Sequence, residues 1–260
     1  MNRSFPRSMF RKILIPVIHG CEFKDSLQVA KGIASSGSIL LAGIVPVVDE
    51  YSLSGGALPA QELRKSMRQI TTREGINSLE HIRVTDSPWK ELVRMVREEK
   101  PDLMILEAGH CDSFGYSIHE VLKNAPCNIV IACGAMPKKI DQVLIPIRGG
   151  PNAELALRLG LSLSRHGKAS INTLHIIPKT RKTARDVAFR GLQRVLNNLP
   201  EVNHQYLQTN DPTAAILVTS KEYDVLILGA TSSYAGASGG LGEVAETILH
   251  EKPKGLLIVK

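Results

Sequence analysis

The 260-residue sequence lacks any apolar run approaching the roughly 18–20 residues that a membrane-spanning helix requires; the longest, Ser38 to Val48, is much shorter, so no membrane span is expected. The basic start, MNRSFPRSMFRK, is not followed by an apolar core with a small-residue cleavage site, because Ile13 to Ile18 is too short. A cytoplasmic location is the expectation. The second half has no cysteine: Cys21, Cys111, Cys127 and Cys133 all lie in the first half, which excludes a repeated disulfide framework and leaves reduced thiols. Neither a Walker G-x4-G-K-[ST] loop nor a GxGxxG fingerprint is present, and no carboxylate pair has a spacing that singles it out, so no catalytic residue is assigned. A net charge of +7 suits anionic partners, yet basic and acidic residues are interspersed and only the N-terminal arm and Lys179 to Lys182 are clustered. That pattern argues against a nucleic-acid interface.

What is present is repetition. Lys12 to Gly20 (KILIPVIHG) is echoed by Gln142 to Gly150 (QVLIPIRGG), Pro101 to Gly109 (PDLMILEAG) by Tyr223 to Thr231 (YDVLILGAT), and PCNIVIA from Pro126 by PKGLLIV from Pro253. Three matched blocks in one order indicate a duplicated unit of about 130 residues, with domains at 1–134 and 140–260 joined by GAMPKK, Gly134 to Lys139. In the first half the β-branched run Ile13–Ile18 predicts a strand buried on both faces. Helix 25–35, strand 39–48, a loop over Ser52 to Pro59, helix 61–76 and strand 79–84 follow. Helix 89–99 is opened by Ser87-Pro88, and strand 103–107, helix 117–124 and strand 128–133 complete the half.

The second half repeats the order. Strand 143–147 leads to helix 153–166, with Asn152 as its cap and Leu155, Leu159 and Leu163 on one face. Strand 171–177, helix 184–199, strand 204–208, helix 213–222 opened by Asp211-Pro212, strand 225–228, helix 241–250 and strand 256–260 follow. Alternating strands and helices demand crossover connections, hence parallel sheets covered on both faces.

The residues carrying these echoes resemble the universal stress proteins. The resemblance rests on Ile15-Pro16-Val17 and Ile145-Pro146-Ile147 at the first strand, Asp86-Ser87-Pro88 and Asn210-Asp211-Pro212 before the third helix, and GEVAETILHEKPKGLLIV from Gly242 with HEVLKNAPCNIVIA from His119 at the end. It covers nearly the whole chain and implies an α/β fold of two repeated, doubly wound, five-stranded parallel sheets of order 3-2-1-4-5, like the adenine nucleotide alpha hydrolases. Ligands of such sheets lie at the strand carboxyl ends, where the order reverses. The resemblance also implies a non-catalytic, ligand-binding or regulatory role in stress response. Association of the last strands, 128–132 with 256–260, would form an intramolecular pseudo-dimer, with a homodimer as a further form.

Nucleotide-binding members of the family carry G-x2-G-x9-G-[ST] after the fourth strand, where glycines admit phosphates to backbone N–H groups and a helix N-terminus favours anions. In the second half Gly229 and Gly242 keep the outer spacing, Ser232 replaces the middle glycine and Glu243 the hydroxyl residue. Gly229, Ser232, Ser233, Gly239 and Gly242 are therefore candidate contacts for AMP, ADP or ATP. Glu243 either faces a terminal phosphate at a like-charge cost or is only a helix N-terminal acid in a loop that binds nothing. Arg148, Gly149 and Gly150 form a candidate anion nest after the first strand; alternatively Arg148 pairs with Glu243 or another acid.

In the first half Glu107 takes the first glycine's place and Tyr116 the hydroxyl residue's, and the loop is five residues shorter, so no triphosphate site is expected there. His19 and Cys21 follow strand one and His110 and Cys111 follow strand four. They are a candidate zinc or redox-thiol set, set against ordinary loop residues. Trp89 is expected to pack and His175 to sit in the core. Two other functional classes remain open: a regulatory module or subunit of a membrane transporter, or a signalling partner, since the family occurs fused to permeases; and a nucleotide hydrolase.

Overall fold

The structure, a computed structural model, describes residues 10–34, 38–48, 54–148, 151–177, 179, 193–194, 196–230 and 241–260. The chain divides into two compact units, Met1–Val130 and Ile131–Lys260. The first half runs β1 (Lys12–Ile18), α1 (Lys24–Ile33), β2 (Ser38–Pro46), α2 (Ala57–Glu74), β3 (Ser78–Thr85), α3 (Pro88–Glu99), β4 (Leu103–Glu107), α4 (Ile118–Lys123) and β5 (Ile129–Cys133). The second runs β6 (Gln142–Pro146), α5 (Pro151–Gly167), β7 (Ser170–Ile177), β8 (Val202–Gln208), α6 (Pro212–Ser220), β9 (Val225–Gly229), α7 (Glu243–Glu251) and β10 (Leu256–Val259). The strand order is β3-β2-β1-β4-β5 over the first half and β8-β7-β6-β9-β10 over the second, with β1–β2, β2–β3, β1–β4, β6–β7, β7–β8, β6–β9 and β9–β10 paired in parallel. Among the described residues no helix is long and apolar enough to cross a membrane.

The central strands form the core because their β-branched and leucine side chains are buried on both faces. Ile13, Leu14, Ile15, Ile105, Leu106, Val143, Leu144, Ile145 and Ile227 have no measurable exposure. β3 and β8, outermost in their halves, are only partly covered, which accounts for the weak pattern of the first and the exposed Tyr206 and Leu207 of the second.

Each half also repeats two devices. Pro16 and Pro146 stand in central strands, where a missing N–H ordinarily breaks the ladder. The N–H groups of His19 and Ile147 donate outward to Ile44 and Leu174, so those missing at 16 and 146 belong to the side facing β4 and β9. Pairing on that side reaches only Leu14 and Leu144. The prolines therefore lie where the first and fourth strands part, which is where the strand order reverses.

The second device is an aspartate clamp. Asp102 Oδ2 accepts N–H bonds from Arg11 (2.6 Å) and Lys12 (2.9 Å), and Asp224 Oδ2 accepts them from Asp141 (2.8 Å) and Gln142 (2.9 Å). The same aspartates donate their own N–H groups to the carbonyls of Lys12 and Gln142. Each clamp pins the start of a first strand to that of a fourth.

Three local expectations are corrected. α2 begins at Ala57, inside the loop expected over 52–59, because Pro59 falls in the first turn, where a helix tolerates proline. Asn152 lies inside α5 and so is not its cap; its side-chain amide donates to the Ala230 carbonyl. Ser87 occupies the cap position of α3 but makes no side-chain cap bond, whereas Asp211 accepts the Ala214 N–H at 2.9 Å. Most of the helix expected over 184–199 lies outside the described residues.

Candidate functional site

The two carboxyl ends are built differently although the strands leading to them match. In the first half Glu107, the last residue of β4, turns its carboxylate onto the start of α1. Its Oε1 accepts the Ser26 N–H at 3.0 Å, and the Asp25 N–H also bonds to the carboxylate. α1 has no capping side chain of its own, since Phe23 stands at the cap position, so a residue from a distant strand does the capping. Burial raises the Glu107 pKa, opposed by the Ser26 N–H; the nearby Asp25 charge also raises it.

The chain beyond Glu107 is compact. Two single 3-10 turns, Ala108–His110 and Asp112–Phe114, lead through Gly115 to α4, whose N-terminus carries a complete capping box of Ser117 and Glu120. Trp89 covers these turns, its ring 6.0 Å from Phe114 and 5.1 Å from Tyr116. Tyr116 thus serves packing, as expected for Trp89. Of the helices that begin at this end, α1 and α4 are capped by the chain's own side chains, and α2 and α3 have no side-chain cap bond.

In the second half Gly229 replaces Glu107, and packing accounts for the glycine. A Cβ there would lie 3.2 Å from Asn152 Cβ and 3.3 Å from the Asn152 backbone. The first turn of α5 presses directly on the end of β9, and the Asn152–Ala230 bond secures it. Arg148, just beyond β6, is exposed and forms no ion pair among the described residues, Glu243 included. Gly242 stands at the cap position of α7 with no side-chain cap bond, and Glu243 is exposed in the first turn. Gly149, Gly150, Ser232, Ser233 and Gly239 lie outside the described residues.

The candidate residues His19, Cys21, His110 and Cys111 do not assemble as a ligand set. His19 Nε2 lies 3.2 Å from Glu62 Oε2, and Cys21 Sγ lies 3.8 Å from Ser113 Oγ. Cys111 is buried, and burial pushes its thiol up to about 12, far from thiolate reactivity at neutral pH. Among the described residues no group of three His, Cys, Asp or Glu side chains has the geometry to hold a metal ion. His19 and Cys21, two positions apart, turn to different partners, and Cys111 follows His110 directly. His110 is buried, its Nε2 3.9 Å from Glu107 Oε2; burial lowers its pKa, opposed by a hydrogen bond with the Glu22 backbone.

Elsewhere, His175 is half-buried, with Nδ1 3.0 Å from the Ile147 carbonyl. A groove of about 290 Å³ runs along the exposed face of α2, lined by Gln61, Arg64, Lys65, Arg68 and Gln69. It holds no nucleophile or acid, and Arg68 is tied to Glu80. Glu107 was legible only as a departure from a glycine; its role required the position of α1.

No family model matches the chain, and no curated protein matches it. Solved structures do. A universal stress protein from Archaeoglobus fulgidus matches with a TM-score of 0.69 at 14% identity, over 95% of this chain and 97% of that one. A putative universal stress protein from Pseudomonas aeruginosa matches at 0.61 and 18%, over 97% and 94%. The cytoplasmic domain of a prokaryotic cation chloride cotransporter matches at 0.60 and 16%, over 95% and 94%. At these identities the likeness is one of fold, and the fold of this chain is the α/β, parallel-stranded fold of the solved universal stress proteins.

Proposed function

We propose that this chain is a non-catalytic regulatory protein of the universal stress type, made of two such domains, in which the second takes an anionic ligand and the first is structural. The observation that carries this reading is the contrast in helix starts. α4 is closed by its own Ser117–Glu120 box, whereas α7 begins at Gly242 without a side-chain cap. An uncapped N-terminus presents N–H groups and the positive end of a helix dipole to an anion. Exposed Arg148, beyond the neighbouring strand β6, supplies a cation of matching sign.

Glu243 in the first turn of α7 opposes a highly charged ligand, so AMP or ADP fits this end better than ATP. Gly149, Gly150, Ser232, Ser233 and Gly239 belong to the same proposed contact set, with Gly229 admitting the close approach of α5. Native mass spectrometry of the freshly purified chain, followed by titration with AMP, ADP and ATP, tests the reading. The expected outcome is one adenine nucleotide per chain, weakened by Arg148→Ala, with no phosphate or AMP released from ATP and magnesium. Turnover of ATP, or binding indifferent to Arg148→Ala, would overturn it.

A second reading, a regulatory subunit or module of a membrane transporter, is favoured by the fold likeness to the cotransporter domain, which extends over nearly all of both chains. Co-purification of a transporter with the tagged chain from its native membranes supports that reading, and recovery of the chain alone counts against it. Pairing of the last strands and a cytoplasmic setting belong to both readings.

A further inference from the structure

The outward face of α2 is basic, and the chain leaves much of that charge uncompensated. Arg64, Lys65 and Arg68 line the groove of about 290 Å³ together with Gln61 and Gln69. These positions recur three and four apart, so they form one stripe along the helix. Both carboxylates of α2 are turned elsewhere: Glu62 lies 3.2 Å from His19, and Glu74 lies 3.4 Å from Lys31 and 3.6 Å from Arg73. Arg68 reaches Glu80 on β3 at 3.1 Å through Nε, one donor of its guanidinium fork. Arg64 and Lys65 form no ion pair among the described residues. Arg64 and Arg68 stand four apart and Lys65 and Arg68 three apart, a spacing at which like charges oppose the helix. The helix thus carries a self-repelling stripe that an anionic partner relieves. Leu58, 65% exposed, extends the same stripe by one turn towards the helix start.

We propose that this face of α2 is a docking surface for an acidic peptide segment of a partner protein, one that carries an apolar residue among its carboxylates. The three cations meet the carboxylates, Gln61 and Gln69 offer amides to the peptide backbone, and Leu58 receives the apolar side chain. A helix rises about 1.5 Å per residue, so Leu58 to Gln69 spans roughly 16 Å, the length of about five extended residues. A nucleic-acid strand fits less well, because α2 has no aromatic residue on which bases could stack. A membrane surface also fits less well, since Leu58 is the only large apolar side chain exposed on this helix. The surface belongs to the first unit, so it stands independently of nucleotide binding by the second.

The probe is a fluorescein-labelled peptide of about a dozen residues, Asp and Glu around a central Leu, with its Asn and Gln counterpart as the control. Fluorescence anisotropy with the full chain at about 0.15 M salt measures binding, where exposed charges farther apart than about 8 Å are largely screened. The acidic peptide is expected to bind saturably and the neutral one not. Arg64→Glu with Lys65→Glu should weaken binding at least about tenfold, and Leu58→Ser about threefold. Arg97→Glu, at an exposed cation of α3, should leave it unchanged. The double variant places an acid four residues before Arg68, so it is expected to melt no lower than the unaltered chain. Should it unfold, Arg64→Gln takes its place, with a loss of about threefold expected. Absence of saturable binding to the unaltered chain, an equal loss from Arg97→Glu, or a Leu58→Ser variant that binds as well would overturn the proposal. So would tighter binding to a single-stranded oligonucleotide, or to vesicles of phosphatidylcholine and phosphatidylserine, than to the peptide.

Discussion

The ends of β4 and β9 solve one problem in two ways. In each half the start of the first helix must be tied to the end of the fourth strand. The first half does so with a carboxylate accepting helix N–H groups, Glu107 to Ser26. The second does so with a side-chain amide donating to a carbonyl, Asn152 to Ala230. The first solution consumes the helix N-terminus; the second leaves position 229 bare and presses the helix turn against it. The scaffold therefore tolerates reversal of the hydrogen-bond direction at the strand carboxyl ends, while the clamps at the opposite end, Asp102 and Asp224, stay the same. The two halves share what holds the strands and differ in what surrounds the strand carboxyl ends.

The sharpest test of this contrast is Gly255→Ala. Gly255 has φ +65°, and a Cβ there would stand 2.1 Å from the Asp224 carbonyl oxygen, so the loop before β10 must move. A loss of about 3 kcal/mol or more is expected by chemical denaturation. At the matching position the first half carries Asn128, whose amide donates to the Asp102 carbonyl at 3.0 Å, and Asn128→Ala should cost only about 1 kcal/mol. Equal costs would show that the two loops are not equivalent in the way the repeat implies.

Next in size are Asp102→Ala and Asp224→Ala, each leaving two strand-opening N–H groups without their acceptor. Both should lose about 2 kcal/mol, and by similar amounts. A large difference between them, measured by urea unfolding, would break the claim that the two scaffolds are alike. Gly229→Ala is expected to cost about 1 kcal/mol, because Asn152 must give by a few tenths of an ångström. An unchanged or raised stability would mean that α5 is not pressed against β9.

The smallest effect is one of pH. Glu107 has a raised folded pKa, so its contribution is fully present below the unfolded value near 4.5 and is lost as pH rises through the folded value. His110 has a lowered one, so its contribution is present above the unfolded value near 6.5 and is lost as pH falls through the folded value. Melting temperature against pH should slope by a few degrees, the mildly acidic decline on raising pH flattening in Glu107→Gln and the loss on acidification flattening in His110→Gln. Unaltered slopes in both variants would separate the pair from the pH response of the fold.

Much of the scaffold was legible in the residues. Runs such as KILIPVI and QVLIP announce strands covered on both faces, and Pro88 and Pro212 mark the same helix start twice. The boundaries that slipped, at Ala57 and Asn152, did so for a common reason. Proline and asparagine are permitted both at a cap and within the first turn, and local propensity does not choose between them. Asp102 and Asp224 were visible as an echo, yet nothing near them in sequence shows that their partners lie 82 to 91 positions away.

The sequence by itself determined the alternating α/β order, because strand burial and helix periodicity are written in neighbouring residues. It also exposed the places where the copies differ, Glu107 against Gly229 foremost. What those differences do was decided only by tertiary structure. Whether a carboxylate is a lost glycine, an exposed acid or the cap of a distant helix depends on which N–H groups come within about 3 Å of it. That distance is set by the crossing of strands and helices far apart in the chain, not by any spacing along it.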